Sequence, residues 1–472
     1  MKNKYKTLTT NMIIFSLAMF TTRIINFLLI PLYTNILSTS QFGQVEIVLN
    51  CANLLIPFLS LSINDAFLRF GLDDKVNSKN ILKTTSKLLI GSSVVTIFLS
   101  PFFYRYSSIG EFTWLFIVIC ISQMFNSTYS LYAKILGKNN IFAYNTIIYT
   151  LSLGLFNIIF ILWLKLAVVG YLFANVATNI TCILFLCVKL KIFKDLKEGK
   201  FHKDLLIEML KYSSPMIANA VSWWILQFSD KLMLDYYLSN ADVGIYSIAT
   251  KMPSVLTMFV GVFSQAWLIS AVTEYNKEGS SEFYSKIFSI FLFILTVSTC
   301  GLLCVIKWIM KEIIGIEFLS SIIYTPLLIE GAFFGSISLF VDPIYSAVKK
   351  NIVITTTTFI AAVCNIILNI IFIPKFHIMG AVISTLISYI IFGMIKLYNS
   401  RCYVNYFISN IKVVSASLIT ITLAIYITNS DTQELKFYIL LFLFVEMIIF
   451  CIFFQESRMF YLKIKDILNE KK

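Results

Sequence analysis

Apolar runs of about twenty residues, separated by short polar connections, recur along the whole chain. A helix needs about twenty apolar residues to cross the hydrocarbon layer of a membrane. No soluble fold buries that many fully apolar helices. A transmembrane barrel would show short alternating strands instead. The pattern therefore predicts an all-α polytopic membrane protein, because helices satisfy every backbone group internally. Fourteen spans are expected. The first six run near 11–31, 45–66, 84–104, 112–132, 141–163 and 166–188. The charged stretch "KLKIFKDLKEGKFHKDLLIEMLKY" follows, and then six more near 212–233, 242–270, 284–308, 321–345, 352–374 and 377–397. The last two lie near 411–428 and 436–455, before the charged tail "QESRMFYLKIKDILNEKK".

The spans repeat. "NIIFI" stands at 157–161 and again at 369–373, each time followed by a polar break and a glycine, in "LWLKLAVVG" and "PKFHIMG". "ILSTSQFGQVEI" at 36–47 aligns without gaps with "YLSNADVGIYSI" at 237–248. Leu37, Ser38 and Gly43 then match Leu238, Ser239 and Gly244 at an offset of 201, against 212 at the two pentapeptides. Loop-length changes account for the drift. Six spans per unit preserve direction, so the halves are expected to be parallel repeats about an axis along the membrane normal, a transporter layout. The expected organisation is a six-helix half at 1–190, a cytoplasmic linker at 191–211, a second half at 212–398, and two further helices with a tail at 399–472. The linker mixes Lys with Asp and Glu and then shows Leu205, Leu206, Met209 and Leu210. It reads either as a helix on the inner membrane surface or as a solvated connection.

Composition agrees with the pattern: 58% of the 472 residues are hydrophobic, 13% are charged, and the mean hydropathy is +0.82. A net charge of +13 is of the sign that suits nucleic acid, but its placement points elsewhere. With the N-terminus inside, and with residues near span ends counted with the adjoining connection, the inward connections and tails carry 29 of the 38 Lys and Arg, the outward ones carry 7, and Arg23 and Lys251 lie deeper within spans. That is the positive-inside bias. An even number of spans puts both termini on the cytoplasmic side. The basic "MKNKYKTLTT" leads into an apolar run with no small-residue cleavage site, and so into an uncleaved first span. The nine cysteines lie almost all in apolar runs. Cys300 and Cys304 share a helix face, but no Cys-x-x-Cys pair exists. His202 and His377 are far apart, so neither a metal site nor a cofactor is expected.

"SDKLMLDYYLSNADVGIYSIATKMP" at 229–253, "LNIIFIPKFHIMGAVISTLISY" at 368–389 and "PFLSLSINDAFLRFG" at 57–71 carry a family resemblance. The chain resembles the Wzx-type polysaccharide flippases, which move O-antigen or capsule repeat units and belong to the superfamily of multidrug, oligosaccharidyl-lipid and polysaccharide exporters. The resemblance covers the whole chain. The family usually has Asp-Arg where Asp230-Lys231 stands here, which keeps the charge but loses the bidentate fork. It implies translocation of an undecaprenyl-diphosphate-linked oligosaccharide across the bacterial cytoplasmic membrane by alternating access, driven by a proton or sodium gradient or by consumption outside. A polysaccharide polymerase and a chain-length regulator would be partners.

A diphosphate crossing low-dielectric space needs cations, and an ionisable residue inside a span is a functional candidate by default. Arg23, midway along the first span, looks similar to the cavity-facing arginine of related lipid-precursor flippases and would grip the diphosphate bidentately. A structural ion pair is the alternative. Lys251, about 15 Å into its span at 1.5 Å per residue, is the second-half candidate, beside a helix break expected at Pro253. Asp65 and Arg69 share a face four residues apart, as an inward gate or a local pair, with Arg69 also a diphosphate candidate. Asp230 and Lys231, at the outer end of the seventh span, either close an outer gate or are solvated. Glu330 either binds a coupling proton or Na+ or is a packed neutral acid. Asp342 reads as structural, and Glu446 as a packing or partner contact. Trp223, Trp224 and Gln227 would suit sugar rings and hydroxyls, and Trp224 stands where the offset puts Arg23. Packing is the alternative for the tryptophans. Asn157 and Asn369 are expected to hydrogen-bond between helices, with contact to substrate as the alternative.

Two other classes compete. A multidrug cation antiporter of the same superfamily should have twelve spans, cavity carboxylates and no first-span arginine. A polymerase or ligase should carry a large outer loop with catalytic arginines or a histidine, and no such loop, nucleophile or carboxylate pair is visible. A flippase for peptidoglycan precursors shares the expected fold, but the motifs at 229–253 and 368–389 favour the polysaccharide branch.

Overall fold

The computed structural model describes residues 24–25, 27–73, 76–275, 277–404, 406, 409–430 and 435–458. Every expected span from the second to the fourteenth coincides with helix. The first falls almost wholly outside the described residues, apart from its end and α1 (Ile30–Ile36). Among the described residues, 10 helices are long and apolar enough to cross a membrane. The chain is thus an all-α multi-pass membrane protein. By their contacts the residues divide into two compact units, Met1–Gly244 and Ile245–Lys472.

The first unit holds α2 (Thr39–Leu59), α3 (Ile63–Gly71), α4 (Ser78–Phe98), α5 (Thr113–Ile135), α6 (Asn139–Asn157), α7 (Ala167–Leu190), α8 (Ile192–Glu198) and α9 (Lys203–Tyr237). Helix α10 (Asn240–Lys251) begins within it. Its core gathers Phe67, Leu82, Leu89, Met124, Tyr132 and Leu186. The opposite faces stay apolar and exposed, as lipid contact requires: Phe98, Trp114, Trp163 and Val188 lie open. Trp114 and Trp163 sit at helix ends, where indoles favour the membrane–water boundary.

The second span differs from the expected continuous run. It ends at Leu59, turns through left-handed Leu61 and Ser62, and restarts as α3. The Ser213 hydroxyl of α9 donates to the freed Leu61 carbonyl at 2.8 Å, so a neighbouring helix satisfies the broken backbone. The linker also differs. Leu205, Leu206, Met209 and Leu210 do not form a helix of their own. They open the continuous 35-residue α9, with Met209 buried. The preceding segment is fastened to α4. Lys79 pairs with Glu198 and, at 3.6 Å, with Asp195. Lys83 donates to the Leu196 carbonyl at 2.8 Å, and the Lys200 amide to Asn80 at 2.8 Å. The Lys79 ammonium holds the Glu198 carboxyl below the usual carboxylate range.

The second unit holds the rest of α10, α11 (Pro253–Glu274), α12 (Ser280–Ile313), α13 (Ser321–Ala347), α14 (Asn351–Ser400), α15 (Asn410–Asn429) and α16 (Leu435–Ile452). Helix α13 is its central rod: 83% of its most apolar window is buried. Helix α14 is two spans meeting at His377, whose φ of 54° and ψ of −133° leave the helical region just after Pro374.

The geometry explains why glycine follows both pentapeptides. A Cβ on Gly170 would stand 2.8 Å from the Phe160 carbonyl oxygen, and one on Gly380 would stand 2.3 Å from that of Phe372. Phe160 and Phe372 are the fourth residues of the two copies. In both units, the returning helix lays a glycine against the carbonyl of the same repeat position. In the first copy a π-helical turn, Ile158–Trp163, precedes the reversal. Among the described residues Asn157 bonds to no other helix; its side-chain amide donates to the Leu153 carbonyl of its own helix at 2.7 Å. Asn369 likewise donates to Asn365 one turn back, at 3.1 Å. A polar side chain in an apolar helix readily bonds to its own i−4 position, as the Asn157 amide does here.

Candidate functional site

The first unit concentrates its buried polar chemistry where α2, α9 and the start of α10 meet. Asp230 and Lys231 are buried, not solvated. The Lys231 ammonium meets Glu46 of α2 at 2.6 Å, with both side chains about 5% exposed, and lies 5.7 Å from the centre of the Phe228 ring. Two charges withdrawn from water stay together because each removes most of the other's desolvation penalty. Glu46 was missed from sequence. Its signal was available, a carboxylate seven residues into an apolar helix that begins at Thr39, but the expected span edge at 45 made it look peripheral.

One turn further along α9, Asp235 accepts from the Tyr106 hydroxyl at 2.7 Å and from the Ser108 hydroxyl at 2.9 Å. In the opposite direction, the Trp224 indole donates to the Asn50 carbonyl at 2.9 Å. Trp224 is thus buried and its only donor is used. Trp223 is half-buried and Gln227 is exposed. Replacing Trp224 with phenylalanine removes the donor and is expected to cost about 1 kcal/mol. A small fall in melting temperature in detergent, with protein level maintained, is the expected reading.

The two Leu-Ser motifs meet here. Ser38 caps α2 in a reciprocal box with Gln41, and the Ser239 hydroxyl accepts from the Asp242 amide at 3.3 Å at the equivalent start of α10. A Cβ on Gly43 would stand 1.7 Å from the Asn240 carbonyl oxygen, and one on Gly244 would stand 2.0 Å from that of Thr39. Thr39 and Asn240 are themselves 201 residues apart. Each copy lays its glycine on the same carbonyl of the other copy.

Arg23 lies outside the described residues. Asp65 and Arg69 are exposed on α3 and form no ion pair with each other among the described residues. In the second unit, Lys251 is half-buried and ends α10, and the chain breaks at Met252–Pro253 as expected. Glu330 on α13 is fully buried. One of its oxygens accepts from the Thr420 hydroxyl of α15 at 3.0 Å, and the other has no hydrogen-bond partner among the described residues. Glu446 is also buried, with one oxygen unpartnered among the described residues. Asp342 pairs with Lys396 at 2.6 Å. Lys396 is fully buried and was missed because it closes an apolar run, where a lysine reads as reaching for the surface.

Comparison with known proteins places this geometry. The family model described as polysaccharide biosynthesis protein matches residues 8–269, more than half of the chain. Among curated protein sequences, none matches. Among solved structures, the lipid II flippase MurJ in an inward closed conformation superposes with a TM-score of 0.66 at 18% identity, covering 96% of this chain and 99% of that one. An inward-facing multidrug resistance MATE family transporter of the MOP superfamily gives 0.64 at 14% identity, covering 82% of this chain and 97% of that one. These relatives are a flippase and a transporter, not enzymes, and at such identities they establish the fold. By the family match, the chain belongs to the polysaccharide biosynthesis protein family.

Proposed function

We propose that the chain is a flippase that carries undecaprenyl-diphosphate-linked oligosaccharide repeat units across the bacterial cytoplasmic membrane by alternating access, with both termini in the cytoplasm. The observation that carries this reading is the reach of the two structural likenesses. The flippase fold accounts for 96% of the chain, including a share that the multidrug transporter fold, at 82%, does not reach. That difference is comparable to the length of 399–472, the two helices beyond the repeat. Membership of the polysaccharide family supports an oligosaccharide cargo over a drug cation.

The cations assigned to the diphosphate are Arg23, Lys251 and Arg69. Glu330 is the residue assigned to a coupling proton or Na+: a fully buried carboxyl with one oxygen unpartnered among the described residues is stable only when a proton or a cation neutralises it. Trp223 and Gln227 remain the side chains for sugar contact, while the Trp224 donor is already engaged. The polymer-forming enzymes that consume the product outside are the expected partners. The test is deletion in the native host. Loss of surface polysaccharide with accumulation of its lipid-linked repeat unit is expected. Unchanged polymer together with a gain of drug susceptibility would assign the antiporter function, and arrested peptidoglycan synthesis would assign the peptidoglycan precursor.

A further inference from the structure

We propose that Glu446 of α16 is the entry acid of a proton relay that loads Glu330 of α13 through the Ser417 and Thr420 hydroxyls of α15. The proposal rests on the coupling role given to Glu330 above. It names the ion as a proton and gives the last two helices a part in coupling.

The first argument is one of level. Helix α12 packs against α13, α15 and α16, and α15 packs against α13 and α16. Contacts between antiparallel neighbours fix the register. Phe291 and Phe340 meet with ring centres 5.0 Å apart. Nine residues on from the first, Cys300 comes level with Glu330, ten residues back from the second. Along α16, a Cβ on Gly301 would lie 3.4 Å from the Phe442 ring, and Phe450 meets Phe293 at 5.7 Å. Glu446 is midway between those two contacts. Tyr426 of α15 meets Phe437 of α16 at 6.4 Å, and nine residues from each stand Ser417 and Glu446. Thr420 reaches Glu330 directly at 3.0 Å. Cys300 accordingly lies within electrostatic reach of both carboxyls.

The second argument is one of unmet polarity. Glu330 is fully buried, and Glu446 and Ser417 are each 8% exposed. Each of the three keeps an oxygen with no hydrogen-bond partner among the described residues. Buried polar atoms are nearly always paired, so three at one level mark a site that takes up a ligand. Among the described residues of the surrounding helices, the charged groups are held elsewhere. Lys307 is seven residues from Cys300, about 10 Å along α12, and donates to the Ser430 carbonyl at 2.7 Å. Lys412 pairs with Glu456, and Lys396 of α14 with Asp342. Lys375 and His377 are exposed at the bend of α14, and Lys436 opens α16. Glu274 ends α11, while Glu282, Lys286, Lys311 and Glu312 stand towards the ends of α12. With no cation beside them, the two carboxyls are stable as neutral acids. A neutral Glu330 donates to the Thr420 hydroxyl, which then donates to the Ala416 carbonyl at 3.1 Å. A hard cation such as Na+ prefers all-oxygen surroundings, and the Cys300 thiol is a poor ligand for it. In the relay Glu446 releases its proton to the hydroxyls, and the Thr420 hydroxyl gives one to an ionised Glu330. The pair carries the same charge before and after. Glu446 is the entry because it keeps some exposure, while Glu330 has none.

The experiment uses the purified full chain in liposomes, read by infrared spectroscopy, which separates a carboxylic acid from a carboxylate by its C=O stretch. Difference spectra of the parent against Glu330→Gln and against Glu446→Gln isolate each carboxyl. At neutral pH each difference is expected to carry the band of the protonated acid, the same in Na+ as in K+. A carboxylate band at either residue, or a band that changes with Na+, overturns the relay. The buffer is then exchanged for deuterium oxide, and the Glu330 band is followed against Glu330→Gln in the same background. Its shift is expected to be several-fold slower in Glu446→Gln than in the parent, with Glu446→Asp restoring most of the rate. Loosened packing would speed the exchange, so a merely structural effect reads in the opposite direction. An unchanged or faster shift in Glu446→Gln overturns the relay. These readings do not depend on the cargo. If they hold while deletion leaves lipid-linked oligosaccharide unaffected, the relay stands and the proposed cargo fails.

Discussion

Lys231→Met is expected to destabilise the protein by about 3–5 kcal/mol, because it takes the ammonium away from a buried carboxylate and leaves that charge in a low-dielectric site. The pair at 2.6 Å joins α9 to α2 with both side chains nearly sealed from solvent. The consequence is a marked fall in melting temperature in detergent and less protein in the membrane. The double variant Glu46→Gln with Lys231→Met removes both charges. It is expected to regain much of the lost stability, since a buried neutral amide carries a far smaller desolvation penalty than an unpaired buried charge. The double-mutant cycle isolates the coupling between the two residues. Stability regained without regained export would assign the charges to the transport cycle. A single variant as stable as the parent would show that the pair contributes little.

Arg23→Ala is expected to abolish export while the protein is still made and inserted. The residue stands in an apolar run between "FTT" and "IINF", where an ionised side chain is retained only with a partner. A guanidinium makes two charge-assisted bonds to a diphosphate. Losing both costs about 3 kcal/mol or more, over a hundredfold in rate if the contact is made throughout transport. Arg23→Lys keeps the charge but not the fork and is expected to retain part of the activity. The measurement is surface polymer in the complemented deletion strain, normalised to protein level. Full export by Arg23→Ala would remove this residue from the substrate site.

The spans were legible because crossing a membrane writes itself into composition at a length of about twenty residues. The repeat was legible because its anchors are glycines and helix caps whose roles are local. Gly43, Gly244, Gly170 and Gly380 sit where two backbones meet, and only one residue type fits there. The break expected at Pro253 was legible for the same reason. Partners were not legible. Nothing along the chain says that Lys231 meets Glu46, or that Lys396 at the end of an apolar run is buried against Asp342. A hydrophobic pattern reports depth in the membrane but not which neighbour a helix faces. The turn at Leu61 and Ser62 was hidden too, because its two left-handed residues have ordinary side chains and its carbonyl is satisfied by Ser213, about 150 positions away.

The most direct test of the proposed function is where the lipid-linked repeat unit resides once the protein is depleted from its host. Membranes are probed with a reagent that modifies the oligosaccharide only in the outer leaflet. The expected result is that intact lipid-linked repeat units accumulate, shielded from the reagent, while surface polymer declines. Repeat units still reaching the outer leaflet at the parental rate, with the protein gone, would contradict a flippase.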